Sequence, residues 1–199
     1  LYSDHITYIC ARDTSEKGHL ENFSALCHLA SRDERTFYYC FSDQDDVWHS
    51  NKLPLMTEHC IQVEENGKMP TLIHCDLRVV DEGMLEIAPS FIRFQGFPDP
   101  QKQRFPVFLH QNVVTGCATL FNRSLLDIAH PIPASAVIHD HWFALCAIYF
   151  GKLEYIDQPL VNYRQHGKNA IGATSVAKQR SFFNPYIYRM MLTLSLIHI

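Results

Sequence analysis

Thr36-Phe37-Tyr38-Tyr39-Cys40-Phe41-Ser42-Asp43-Gln44-Asp45-Asp46 is the stretch on which the reading of this chain turns. Thr36–Phe41 is an unbroken β-branched and aromatic run, which predicts a strand buried on both faces. It stops at a turn where Asp43, Asp45 and Asp46 crowd together. Carboxylates this close repel one another, and a strand terminus does not neutralise them. A divalent ion would, and oxygen donors suit Mg2+ or Mn2+. The turn also falls where open α/β sheets bind ligands, just past the carboxyl end of a strand. An acidic turn leading into a helix N-terminus accounts for the same residues without a metal.

Around this stretch, apolar β-rich runs alternate with helical segments, the pattern of an α/β fold. Ile6–Cys10 reads as a first strand, and Glu21–Ser31 as a helix with Phe23, Leu26, Cys27 and Ala30 on one face. A second helix is expected over Asn51–Glu65, with Pro54 in its first turn and Gly67 past its end. Thr71–Cys75 reads as a short strand ending at Asp76, followed by a turn at Asp81-Glu82-Gly83. Residues 88–105 read as a long surface loop. Val113–Phe121 reads as a strand interrupted at Gly116, and Asn122–Ala129 as a short helix closed by Pro131 and Pro133. His141–Phe150 is apolar nearly all round, which predicts a buried helix capped by Gly151. Leu153–Ile156 and Leu160–Arg164 read as two short strands around Asp157-Gln158-Pro159, with helix from there to Leu192.

Composition sets the outer bounds. With 199 residues, 47% of them hydrophobic and 19% charged, the chain can build one sizeable core and is not disordered throughout. A net charge of −4, with 17 basic residues scattered among 21 acidic ones, excludes a general affinity for nucleic acid. The seven cysteines form no C-x-x-C pair, and Cys40, Cys75, Cys117 and Cys146 lie inside apolar runs. That usage fits a reduced, intracellular protein better than a disulfide scaffold or a zinc module. No apolar run reaches the ~18 residues of a membrane span. Both ends look cut. The expected strand at Ile6 starts with nothing before it to pair with, and Leu194–Ile199 matches the translation of a transposon end used in sequencing-library preparation.

Three further constellations carry chemistry. His139-Asp140-His141-Trp142 precedes the buried helix: Asp140 is either its N-cap or a carboxylate base held at a helix mouth. His139 and His141 would face one way in extended backbone, as a H-x-H metal pair does, although no third His lies nearby. Tyr163-Arg164-Gln165-His166-Gly167-Lys168-Asn169 ends a strand with two cations suited to a phosphate and an imidazole suited to a metal, or is a solvated polar loop. Gln111-Asn112-Val113-Val114-Thr115-Gly116-Cys117 puts Gly in an apolar run, where a ligand or another backbone comes close. Two rival metal sites can be weighed directly. An EF-hand counted from Asp43 would need Gly and Glu where Trp48 and Pro54 stand. An aspartyl-phosphate phosphatase would use Asp43 as nucleophile and Asp45 as acid, but Asp76 and Asp81 match its later acidic pair only loosely.

Taken in order, Ser42-Asp43-Gln44-Asp45-Asp46-Val47-Trp48, His74-Cys75-Asp76-Leu77-Arg78-Val79-Val80-Asp81, Gln111–Cys117, His139–Trp142 and Tyr163–Asn169 resemble the bacterial family 2 glycosyltransferases, with the rhamnosyltransferase-like branch nearest. The resemblance runs from about Gly18 to Gly172. It implies a GT-A fold, a Rossmann-like mixed α/β sheet flanked by helices and incomplete at its N-terminus. The partial catalytic domain is then 1–172, with a helical extension over 173–193 and the foreign hexapeptide at 194–199. The implied activity is inverting transfer of a sugar, rhamnose by the nearest branch, from a nucleotide-diphosphate donor to a glycan or lipid-linked acceptor in surface polysaccharide synthesis. Mg2+ or Mn2+ would be the cofactor and the cytoplasm, at the inner face of the plasma membrane, the location.

Carried over by residue, Asp43, Asp45 and His166 would hold the metal, Asp45 most directly, and Asp140 would be the catalytic base. Arg164 and Lys168 would take the donor diphosphate. Asp46, Trp48, Asn112, Thr115, Gly116, His139 and Trp142 would lie near the donor sugar and acceptor. Members of this family open with a strand and an Asp-rich turn that hold the nucleoside. Two missing βα units would amount to about 60 residues, so weak donor binding and low activity are expected of this chain. Two other functions stay open: a metal-dependent phosphohydrolase using Asp43, and a non-catalytic, metal-dependent sugar-binding module.

Overall fold

The structure, a computed structural model, describes residues 18–102, 108–109 and 111–166. The expected strand at Ile6–Cys10, the end of the loop over 88–105, Lys168, the extension over 173–193 and the terminal hexapeptide lie outside the described residues.

The centre of the molecule is β3 (Thr71–Val80), buried at every position but Arg78. One of its edges runs parallel along β6 (Lys152–Arg164) over its whole length. Its other edge is shared: β5 (Thr119–Asn122) pairs with Leu72–His74, and β4 (Glu86–Ala88) pairs with Val79–Val80, both antiparallel. β1 (Tyr38–Tyr39) extends the sheet beyond β5, and β2 (Val47–Trp48) beyond β6, giving the order β1-β5-β3-β6-β2. The fold is therefore mixed α/β, as expected, with helices on both faces of the sheet.

The faces follow from the period-2 alternation of β3. Leu72 joins a core cluster with Phe41, Phe121, Trp142 and Phe143, covered by α1 (His19–Ser31), α4 (Arg123–Ala129) and α5 (His139–Phe150). Ile73, Cys75, Leu77 and Val79 point the other way, into a cluster with Met56, Cys60 and Val161 under α2 (Lys52–Val63) and α3 (Phe91–Phe94). Gly151 turns α5 into β6 with its α-carbon pressed against the Pro70 carbonyl, which accepts from Lys152 N at 2.8 Å. A side chain on residue 151 would collide with that carbonyl.

Several expectations need correction. Thr36–Phe41 is not a strand buried on both faces. Only Tyr38–Tyr39 pair, both half-buried, and Phe37 is 66% exposed. β3 does not stop at Asp76 but runs on to Val80, because Asp76 Oδ1 is neutralised in place by the N–H groups of Leu77, Phe91 and Ile92 at 2.8, 3.1 and 3.2 Å. Those bonds also anchor α3, which with a 3-10 turn at Pro100–Lys102 gives structure to part of the expected loop. The two short strands expected around Pro159 are one strand, β6. Its register with β3 slips at Cys75–Leu77, opposite Ile156–Val161, so the Pro159 segment is a bulge and not a break. The strand expected over Val113–Phe121 is confined to β5, and a 3-10 turn at Gly116–Ala118 precedes it.

Candidate active site

Three segments distant in sequence meet at the carboxyl end of β6. The acidic turn between β1 and β2 is stitched to the strand end by Arg164 N, which donates to Asp46 Oδ1 at 3.0 Å. One residue earlier in the turn, Asp45 Oδ2 lies 2.6 Å from His166 Nε2. Two residues expected to share a metal are thus in direct contact across 121 positions of sequence. Asp43 is half-buried beside them. Burial raises its carboxyl to about 6, and the charges of Asp46 and Asp45 add to the effect.

The third segment is the mouth of α5. Asp140 is not the N-cap; Ile138 is, and Asp140 sits in the first turn, where its charge is favoured. Both of its oxygens are held. Gly116 N donates to Oδ2 and Asn112 Nδ2 to Oδ1, each at 2.9 Å. Asn112 is itself oriented by Val114 N, 3.0 Å from its Oδ1. Burial pushes Asp140 up to about 7 against those hydrogen bonds, and the charge of Asp43 pushes the same way. Cys117, whose sulfur lies within 4.8 Å of carboxylate oxygens of Asp43 and Asp46, directly follows Gly116, whose N–H is bound to Asp140. The acidic turn and the carboxylate at the helix mouth face one site.

His139 flanks Asp140, stacked on Phe23 at 3.7 Å and edge-on to Phe41 at 4.6 Å. Neither ring nitrogen has a hydrogen-bond partner among the described residues, and burial holds the ring near 3, so it is neutral. Gly116 is required where it stands: a β-carbon there would meet His139 Nε2 at 2.8 Å and Asp140 Oδ2 at 3.5 Å. Thr115 leads into this turn and accepts Ala118 N on its carbonyl at 2.9 Å.

Other expected site residues are placed differently. His139 and His141 do not face one way, because they lie on a helix and not on extended backbone. His141 Nε2 meets the Phe108 carbonyl at 2.6 Å, away from Asp140. Trp142 is a core residue, 2% exposed, with its indole N–H on the Ala129 carbonyl at 2.7 Å. Trp48 is half-buried in β2, and its indole N–H has no hydrogen-bond partner among the described residues. Arg164 lays its guanidinium 3.3 Å from Met84 Sδ.

Two residues of this site were not singled out by the sequence. Cys117, buried behind the turn, brings its sulfur within 4.8 Å of carboxylate oxygens of Asp43 and Asp46. Lys52, fully buried at the start of α2, holds its ammonium 3.3 Å above the Trp48 ring. A signal was present: a lysine four residues after a tryptophan, at the head of a helix whose inner face is otherwise apolar.

Asp43, Asp45 and His166 are donor types that a divalent ion takes, but among the described residues the three-ligand group whose atoms all lie within 4.8 Å of one another is Asp43, Asp46 and Cys117, while Asp45 and His166 are paired with each other. Among the described residues no helix is long and apolar enough to cross a membrane. Neither protein-family models nor curated proteins give a match to this chain.

Proposed function

We propose that this chain carries the metal- and acceptor-binding residues of an inverting glycosyltransferase with a GT-A arrangement. It acts on a nucleotide-diphosphate sugar and a glycan or lipid-linked hydroxyl acceptor at the cytoplasmic face of the membrane. The observation that supports this reading is that the Asp45–His166 pair and Asp43 share one strand end, with Cys117 beside Asp43 and the Gly116 N–H before it holding Asp140. Asp43, Asp45 and His166 would hold Mg2+ or Mn2+, which when bound offsets negative charge on a departing diphosphate.

The rest falls to the protein's own groups. Gly116 N–H and the Asn112 amide fix both oxygens of Asp140, so its remaining lone pairs have a set direction. A carboxyl raised to about 7 is a far better base than an exposed aspartate, yet is still half ionised at neutral pH. Asp140 takes the proton of the acceptor hydroxyl as that oxygen attacks the anomeric carbon from the face opposite the leaving group. One displacement inverts the centre, and no side chain needs to become a covalent nucleophile.

The test is Mn2+-dependent transfer from a nucleotide-sugar, with Mn2+ binding followed separately. Asp140→Asn should lower turnover about 10²–10⁴-fold with Mn2+ binding unchanged, whereas Asp45→Asn should weaken Mn2+ binding. Transfer that survives Asp140→Asn would overturn the proposal. So would release of inorganic phosphate that depends on Asp43 alone, the phosphohydrolase outcome.

A further inference from the structure

Beside Asp140 lies a ring that the mechanism does not use. His139 is 5% exposed, and neither of its nitrogens has a hydrogen-bond partner among the described residues. The ring is stacked on Phe23 at 3.7 Å. Phe41 stands perpendicular to it at 4.6 Å and is itself edge-on to Phe143 at 5.1 Å, so the ring is fixed against the core. Its Nε2 edge looks onto the α-carbon of Gly116. A β-carbon on residue 116 would stand 2.8 Å from Nε2, too close for any real contact, whereas Asp140 Oδ2 at 3.5 Å would be an ordinary neighbour. Backbone conformation does not call for a glycine here: among the described residues the glycines in the left-handed region are Gly67 and Gly96. Residue 116 is bare to make room for His139. Gly116 is thereby held at three points. Its N–H donates to Asp140 Oδ2 at 2.9 Å, its carbonyl accepts from Thr119 Oγ1 at 2.7 Å, and its α-carbon bears on the His139 ring. Without the ring, the turn would have room to slide into its place and carry the N–H off Asp140.

We propose that His139 is a positioning residue: its ring, fixed against Phe23 and Phe41, holds the Gly116 turn so that the Gly116 N–H stays on Asp140 Oδ2. With no partner for either nitrogen, the ring acts by its shape and not by a hydrogen bond of its own. A carboxylate is aimed only as well as the groups that support it are held. The use of this support in catalysis rests on the transferase reading; the support itself does not.

Hydrogen exchange at the Gly116 amide reports this directly. In the wild-type protein that N–H should be protected. His139→Ala should lower its protection by about tenfold or more, while the Val114 amide, held by Asn112 Oδ1, keeps its own. His139→Phe, which restores a flat ring without nitrogens, should retain the Gly116 protection. In transfer assays His139→Ala should lower kcat about 10²-fold with KM for the donor and Mn2+ binding unchanged, and His139→Phe should recover most of that loss. An unprotected Gly116 amide in the wild type, protection that survives His139→Ala, a loss shared equally by Val114, or a folded His139→Phe variant that loses the protection each overturns the proposal. Should His139→Ala fail to fold, the wild-type amide and His139→Phe decide. Absence of Mn2+ binding and of sugar transfer in the wild type would sink the transferase reading alone and leave the exchange result standing.

Discussion

The two ends of the β3–β6 ribbon are both polar and buried, and they treat their polar atoms in opposite ways. At the amino end, Asn122 spends its whole side chain. Its Oδ1 accepts from Thr71 N and Leu125 N at 3.0 and 3.1 Å, and its Nδ2 donates to Glu64 Oε2 and the Met69 carbonyl at 3.0 and 2.8 Å. Glu64 is closed in turn by the Tyr38 hydroxyl at 2.6 Å. At the carboxyl end, Lys52 Nζ, Trp48 Nε1 and both nitrogens of His139 have no hydrogen-bond partner among the described residues. A satisfied network rigidifies, whereas an unsatisfied one is expensive to keep and calls for an explanation outside folding. Stability is concentrated at the first end, and the second is where we place the proposed ligand chemistry.

The sharpest way to break that contrast is to damage the satisfied end. Asn122→Leu strips the N-cap of α4, orphans Thr71 N and leaves the Glu64 carboxylate, which is 6% exposed, short of a donor. Losses of this kind run to about 3–5 kcal/mol. Chemical denaturation should show a drop of that size. A drop below about 1 kcal/mol would mean the network is not what holds this end together.

Gly116→Ala sits on the other end and should cost less, about 1–3 kcal/mol, the range for overpacking. His139 cannot swing clear cheaply, because it is stacked on Phe23 and edge-on to Phe41. If the clash with His139 is the cause, the penalty should shrink in a His139→Ala background, a coupling that a double-mutant cycle measures. An unchanged penalty would locate the strain at Asp140 instead.

These two ends were not equally legible in the sequence. The helix over Arg123–Ala129 and its start at Asn122 follow from a side chain that caps its own backbone, a local signal. The α5 helix is legible from its apolar run over His141–Phe150, but it starts two residues earlier, at His139. The strands fared worse, because pairing partners decide them. The aromatic run over Thr36–Phe41 makes only a short β1, which pairs with β5 at Tyr38 and Tyr39 alone, while β3 runs through Asp76 because distant N–H groups from α3 neutralise it. The site residues were found as separate motifs. That Asp45 would touch His166 depends on β6 running beside β2, which no local pattern encodes.

The smallest effect is a proton balance at the unsatisfied end. His139 and His74 are buried and held near 3, against about 6.5 in the unfolded chain. A group depressed in this way favours the fold above about 6.5 and withdraws that support as pH falls, because only the unfolded chain takes up the proton. Asp140, near 7, and Asp43, near 6, act in the opposite sense, since the fold binds their protons more tightly than the unfolded chain does. The two effects oppose each other between about pH 4 and 6.5, so the wild-type stability curve should be shallow there. His139→Phe keeps a ring between Phe23 and Phe41 but removes one of the histidine contributions. Relative to wild type, that variant should gain about 1 kcal/mol between pH 8 and pH 5.5, read from denaturation midpoints at the two pH values. No gain would mean that His139 carries a proton in the fold, and its unpartnered nitrogens would then belong with the charges of the site.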